Sequence, residues 1–595
     1  MGYFESGLDR FVLAGATSRS LVAASLRAAV RVGLIGGVLF GTVLSLAGLG
    51  LDPRFQASPQ DLLVLTAYLV VVLGAAVGLA AFLGGLVAGF WARRRGRLAA
   101  PSLPRNVGLA LALAGLVYFS LWWSSHALKA PVAFQVVAAF MGLGLCLVLA
   151  RFGFLASVAV LSAAGLADRL PEAGLSRSRM LLLLGLAALL AGGGVVGLSA
   201  ARARAGDSAP DFAVIPTGLR IVLVGIDGLE ARMAEQMTSA GEMPHLRALM
   251  DTGARGRLAV EPEQVPAIVW TTIATGRGPE AHGIRSAGAR RLAGMRGPLA
   301  VEEGRLVRAL GAATDLLRLT RSQPPTSVLR SVKAFWNVAS EKGLRVGVVN
   351  WWATWPADAV NGSLVTDRAF FKLEKGGVAE REVHPPELYD RLKPLLALPL
   401  RDDRPGRIDA FHWAAARLLH GSGAFDLEAV YLPGLDIATM QQLGETGASD
   451  LATLDARLAV VKDHYRFLDS LLGEAVQARQ PDDVLILVGD PGRLARQGGA
   501  RPEGILIMAG NAVAPGEIGP VSEKDVAPTA LHLLGLPVSR ELEGHVVERA
   551  LRAELRQKMP VRYVASYGRR PQAPPAESGF DRDMLEELRS LGYIR

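Results

Sequence analysis

The chain has 595 residues, 50% of them hydrophobic and only 20% charged, with a formal net charge of +9. That length exceeds ordinary single-domain size, and the apolar share is too high for one water-soluble globule. The single Cys146 excludes an intrachain disulfide framework. The arginines cluster beside apolar segments, as topogenic loops do, so no nucleic-acid partner is expected.

The apolar excess lies before residue 201. Five segments are long enough for a bilayer span of about 20 residues: Val32–Leu51, Leu62–Trp91, Val107–Leu128, Pro131–Ala150 and Met180–Ala201. Phe152–Gly165 is apolar too, but Arg151 and its shortness make it an extension of the fourth span or an interfacial helix. Arginines crowd the stretch before the first span (Arg19, Arg27, Arg31), the loop Ala92–Asn106 and the loop before the fifth (Arg169, Arg177, Arg179). Positive loops stay cytoplasmic. A multi-pass protein of the inner cell membrane is expected, its partner the lipid bilayer, with everything after residue 201 periplasmic. No ionisable residue inside the spans suggests a transport path.

Residues 202–217 are expected to be a linker. After it, strand-like and helix-like segments alternate. Leu219–Gly225, Leu344–Val349, Ala429–Leu432 and Val484–Val488 are short, nearly continuous apolar runs, the pattern of buried parallel strands. Asp227, Asp436 and Asp490 stand at or near the ends of three of them, where open α/β sheets place ligands. Any single aspartate there could be a simple helix or turn cap. Three together suggest a site.

Val265–Ile284 reads VPAIVWTTIATGRGPEAHGI. With VLVGIDGLEARM at Val222–Met233, AVYLPGLDIATM at Ala429–Met440, DVLILVGDPGRLARQGGARPEGILIMAG at Asp483–Gly510 and DVAPTALHLLGLP at Asp525–Pro537, it resembles the type I phosphodiesterase/nucleotide pyrophosphatase branch of the alkaline phosphatase superfamily. The resemblance covers about residues 219–550. It implies an α/β fold with a mainly parallel central sheet and helices on both faces, preceded by an all-α transmembrane bundle. The implied layout is a membrane region 1–201, a domain 218–550 with a cap insertion at about 285–430, and a tail 551–595.

The resemblance also implies a two-zinc site. Asp227, Asp436 and Asp490 occupy metal-ligand positions. The family's nucleophile falls on Pro266, and its three histidine ligands fall on Met440, Pro491 and Ala500. Proline and alanine offer no side-chain donor, and a thioether is a poor zinc ligand. Thr271 and Thr272 lie too far along the following helix to replace the nucleophile. Three carboxylates without a cation would repel one another and raise at least one pKa. No catalytic residue and no cofactor is therefore expected; the alternative is zinc or another divalent cation on the residual aspartates.

The tail is Arg- and Pro-rich, then Asp581–Tyr593 has the periodicity of an amphipathic helix that packs on the domain or docks on a partner. The expectation is a membrane-anchored, catalytically degenerate binding or scaffold module of the cell envelope. Its partner would be an envelope protein or a phosphorylated, lipid-linked ligand. The second reading is an active phosphoester hydrolase or head-group transferase with an altered metal site.

Overall fold

A computed structural model describes residues 21–51, 59–95, 103–126, 132–163 and 211–594, without 262–263, 295–313, 316–317, 399–400, 445–450, 498–502 and 571–577. The chain divides into two compact units, Met1–Asp207 and Ser208–Arg595.

The described part of the first unit is helical: α1 (Leu21–Leu51), α2 (Pro59–Arg95), α3 (Leu103–His126) and α4 (Val132–Ala163). Three of these hold windows long and apolar enough to cross a membrane, Leu21–Thr42, Leu63–Val87 and Gly142–Leu161. The first window begins upstream of Arg27 and Arg31, so the expected span Val32–Leu51 is displaced: both arginines belong to the helix rather than to a flanking loop. Helix α4 runs unbroken through Arg151, which makes Phe152–Ala163 its continuation. The expected span Met180–Ala201 lies outside the described residues. Gly33 and Gly37 of α1 face Gly74 of α2, and a Cβ on Gly33 would come within 2.6 Å of the Gly74 carbonyl, so these backbones approach as small-residue membrane interfaces do.

The second unit is built on one mixed sheet. Its strands are β1 (Arg220–Asp227), β2 (Ala254–Ala259), β3 (Val346–Trp351), β4 (Gly362–Thr366), β5 (Val383–His384), β6 (Leu427–Leu432), β7 (Asp483–Asp490), β8 (Glu503–Ala509), β9 (Gly516–Glu517) and β10 (Val521–Ser522). They lie in the order β9-β2-β8-β7-β1-β6-β3-β4-β5, with β10 also on β2. The centre, β7-β1-β6-β3-β4, is parallel, while β8 is antiparallel to β7 and to β2. Consecutive residues of β3 and β7 are all buried, so both faces of the sheet are covered, as parallel strands require. The α/β class and the mainly parallel sheet agree with expectation.

Two boundaries are corrected. The segment read as a cap, about 285–430, supplies β3, β4 and β5 to the main sheet, so it is not a separate insertion. Its apolar strand Val346–Trp351 finds parallel partners on both sides, which buries more surface than a surface cap could. The tail does not begin as a free linker at 551 either. Tyr563–Val564 pair with Val538–Ser539, and Tyr567 and Arg570 are buried.

Helix α5 (Pro266–Thr275) is buried along its whole length. Trp351 Nε1 donates to the Trp270 carbonyl at 2.7 Å, and Trp270 packs on Tyr431 with ring centroids 4.7 Å apart. This aromatic wedge ties α5 to the carboxyl ends of β3 and β6, beside the aspartates.

Candidate functional site

The parallel register of β1 and β7 sets Asp227 directly beside Asp490. Asp436 comes from the first turn of α7 (Gly434–Leu443) rather than from a strand end. Helix α7 is itself pinned at its start. Asp409, on α6 (Arg404–His420), accepts from Gly434 N at 2.8 Å and pairs with His464 of α8 (Leu451–Ala478) at 2.9 Å. A carboxylate on the exposed amides of a helix N-terminus satisfies groups that have no partner within the helix.

Two glycines let these loops converge. Gly228, with φ +91°, would carry a Cβ within 2.6 Å of Asp436 N. Gly492, with φ +84°, would carry one within 2.9 Å of Asp436 Oδ1. The left-handed backbone and the missing Cβ are both required.

All three expected aspartates are therefore brought together, and all are buried. Two arginines of the short helix α9 (Gly492–Gln497) lie among them. Arg493 holds Asp436 in a fork, its backbone N donating to Oδ1 at 2.8 Å and its Nε to Oδ2 at 2.6 Å. Arg496 Nη2 pairs with Asp490 Oδ1, and its Nη1 reaches the Gln264 carbonyl at 3.1 Å, two residues before Pro266. Burial alone would lower the pKa of each guanidinium; Asp436 beside Arg493, and Asp490 beside Arg496, raise both instead.

Asp227 has no cation of its own. Burial first, then Asp436 and Asp490, push its pKa well above the carboxylate range. Its Oδ2 accepts from Tyr431 Oη at 2.8 Å, while its Oδ1 accepts no donor among the described residues. A fourth acid, Glu523, is buried with neither oxygen hydrogen-bonded among the described residues, and burial and Asp490 push it up to about 8. Two guanidiniums face two of the acids, and the pKa of each of the other two, Asp227 and Glu523, is raised.

The other expected positions behave as their chemistry dictates. Pro266 is the first residue of α5, where a missing N–H costs nothing. Pro491 is buried behind Asp490, and Met440 lies one turn beyond Asp436 on α7. Ala500 lies outside the described residues. Thr271 donates back to the Ala267 carbonyl at 2.7 Å, and Thr272 pairs with His282 at 3.1 Å, so neither hydroxyl serves the aspartates.

These residues do not fit a two-zinc site. The carboxylates that would hold the metals hold guanidiniums, and the histidine positions at 440 and 491 carry no imidazole. Among the described residues no group of three or more His, Cys, Asp or Glu could hold a metal ion. Arg493, Arg496, Tyr431 and Glu523 were not singled out from the sequence. The spacing D-x-x-R-x-x-R after Asp490 was the available signal, since residues three apart share a helix face. A cavity of about 530 Å³ lies elsewhere, lined by Val222, Val349, Trp413, Glu428 and Glu474 among others and by none of the aspartates.

A family model described as type I phosphodiesterase/nucleotide pyrophosphatase matches residues 221–498. Among solved structures, phosphonate monoester hydrolase SpPMH from Silicibacter pomeroyi is 14% identical, with 55% of this chain and 75% of that chain covered and a TM-score of 0.31. Ps i-CgsB in complex with k-i-k-neocarrahexaose is also 14% identical, with 55% and 74% covered and a TM-score of 0.31. At that TM-score neither likeness carries weight. No curated protein matches.

Two predictions follow from the charge balance. Arg496→Met leaves the Asp490 carboxylate buried and unpaired and is expected to cost about 3–5 kcal/mol. Adding Asp490→Asn should recover most of it, as read by urea unfolding; an Arg496→Met variant as stable as the parent would contradict the pairing. The second concerns pH. Glu523 rises from its ordinary 4.5 to about 8, so between those values the folded chain keeps a proton that the unfolded chain releases. Its contribution is full below about 4.5 and is lost as pH climbs to about 8, by ~1.4 kcal/mol per pH unit at most. Glu523→Gln should flatten that decline, and an equally steep curve would show that Glu523 is not the group.

Proposed function

We propose that this chain is a membrane-anchored protein whose phosphodiesterase-like domain has given up metal-dependent hydrolysis and serves as a binding or scaffold module at the cell envelope. One observation carries the reading. The carboxylates at the metal-ligand positions are engaged by Arg493 and Arg496, which bring the positive charge that metal ions would supply. A guanidinium offers donors and fixed charge, but it neither binds nor acidifies a water as a Lewis acid does. The place of the nucleophile is Pro266, which has no oxygen to transfer a phosphoryl group to.

Anchoring is supported by three helices long and apolar enough to cross a membrane. A cytoplasmic N-terminus with the second unit periplasmic is the orientation that the arginine-rich loops favour.

The purified full chain should bind no zinc in stoichiometric amount and leave an activated phosphodiester untouched. Stoichiometric zinc, with turnover abolished by Asp227→Asn, would sink the reading and favour a hydrolase with a rebuilt site. Orientation is tested with one engineered cysteine. Val378 is 80% exposed. Val378→Cys in a Cys146→Ala background should be labelled in intact spheroplasts by a membrane-impermeant thiol reagent. Protection until lysis would place the second unit in the cytoplasm.

A further inference from the structure

Beyond the aspartates, the side of the site that would face an incoming ligand is filled by the chain itself. Helix α10 (Asp581–Ser590) lies across it with Met584, Leu585 and Leu588 buried. After the helix the backbone turns at Gly592, with φ +75°, while Tyr593 N donates to the Leu588 carbonyl at 2.8 Å. That left-handed turn sends Leu591–Tyr593 into the pocket. Arg493 Nη2 donates to the Leu591 carbonyl at 3.1 Å, and its guanidinium lies 4.0 Å from the centre of the Tyr593 ring. The same ring meets Trp352 edge-on at 5.3 Å, and Trp352 Nε1 donates to the hydroxyl of Tyr431, which in turn holds Asp227.

A ring of ion pairs fixes the helix around this insertion. Arg368 binds Asp581 at 2.5 Å, Arg404 binds Glu587 at 2.6 Å, and Lys375 lies 3.7 Å from Glu587. The acidic face of α10 therefore meets a basic rim, and its apolar face and the Leu-Gly-Tyr turn meet the pocket.

We propose that the former catalytic pocket is a peptide-binding site, and that the segment Ser578–Tyr593 is its ligand. The ligand class is a short helix with an acidic face, ended by a Leu-Gly-Tyr turn. Its anchor is the tyrosine ring under Arg493, in a desolvated pocket of the kind that concentrates binding energy. The inference rests on the binding-module reading above and names what the module binds. A second copy of this segment, or a partner with the same ending, would compete for the place.

The test uses the full chain, folded intact, with a protease recognition sequence in place of residues 572–576. After cleavage a labelled peptide Ser578–Arg595 is added. It should enter saturably and be displaced by unlabelled peptide. A Tyr593→Ala peptide should bind about tenfold weaker or worse, a loss of ~1.4 kcal/mol or more. An Arg582→Ala peptide should match the parent, because Arg582 is 89% exposed. No entry into the still-folded, washed chain would overturn the proposal, as would a Tyr593→Ala peptide that binds as well as the parent. The uncleaved chain gives a second measurement. Tyr593→Ala should speed amide exchange across 581–593 about tenfold while the central strands keep their protection; unchanged exchange in the tail would also overturn the site. Phosphodiester turnover that emerges only once the peptide is released would support the peptide site and sink the non-catalytic reading, so the two can fail separately.

Discussion

Three carboxyl groups converge in a buried interior because two guanidiniums enter the same space. Without Arg493 and Arg496, Asp436 and Asp490 would be buried charges with no partner, a cost of several kcal/mol each. With them, the loops after β1, β6 and β7 close onto one another. Gly228 packs against Asp436, Gly492 sits on both, and α9 leaves β7 at the angle that returns its arginines to the strand ends. Burial and the two neighbouring aspartates raise the pKa of Asp227, which lies beside Asp490 and has no ion-pair partner of its own among the described residues.

The sheet beneath the cluster stands on its own packing. The strands that carry Asp227 and Asp490 are buried on both faces and hydrogen-bonded in register, so their stability owes nothing to a metal. What a metal site would require of the protein is compensation for clustered negative charge, and arginine meets that requirement with geometry to spare. At Asp436 one guanidinium donor and the backbone N–H of the same residue satisfy both carboxylate oxygens. Pro266, Met440 and Pro491 fit their places without any metal. A proline opens α5 and another follows Asp490, and neither needs a donor there.

The two units solve different problems. In the first, long apolar helices satisfy their own backbone groups, which is the condition for crossing lipid. In the second, the charged residues are spent in pairs around the pocket. The basic rim of Arg368, Lys375 and Arg404 meets the acids of α10, and Arg493 serves both Asp436 and the Leu591 carbonyl. Arg493 thereby links the aspartate cluster to the docked segment, so charge balance and pocket closure share one side chain.

Much of this was legible in the residues alone. Apolar runs with an aspartate at or shortly after their ends predicted β1, β6 and β7 to within a few residues, because a buried parallel strand needs side chains acceptable to both faces. The stretch VPAIVWTTIATGRGPEAHGI located Pro266, and periodicity marked α10. Local pattern could go no further. It took about 285–430 for a cap, because the partners of β3 lie far away in sequence. It put Asp436 near a strand end, because the start of α7 is decided by Asp409 and His464 from other helices. It missed Arg493 and Arg496, since an arginine looks alike on a surface and on a buried carboxylate, and it left open what α10 packs against. The sequence by itself determined the class of fold, the apolar helices and which groups zinc chemistry would lack. The tertiary structure decided what replaces them, because a buried charge acquires its meaning from what lies within a few ångströms of it, and those neighbours come from β7, α9 and a segment nearly a hundred residues further along the chain.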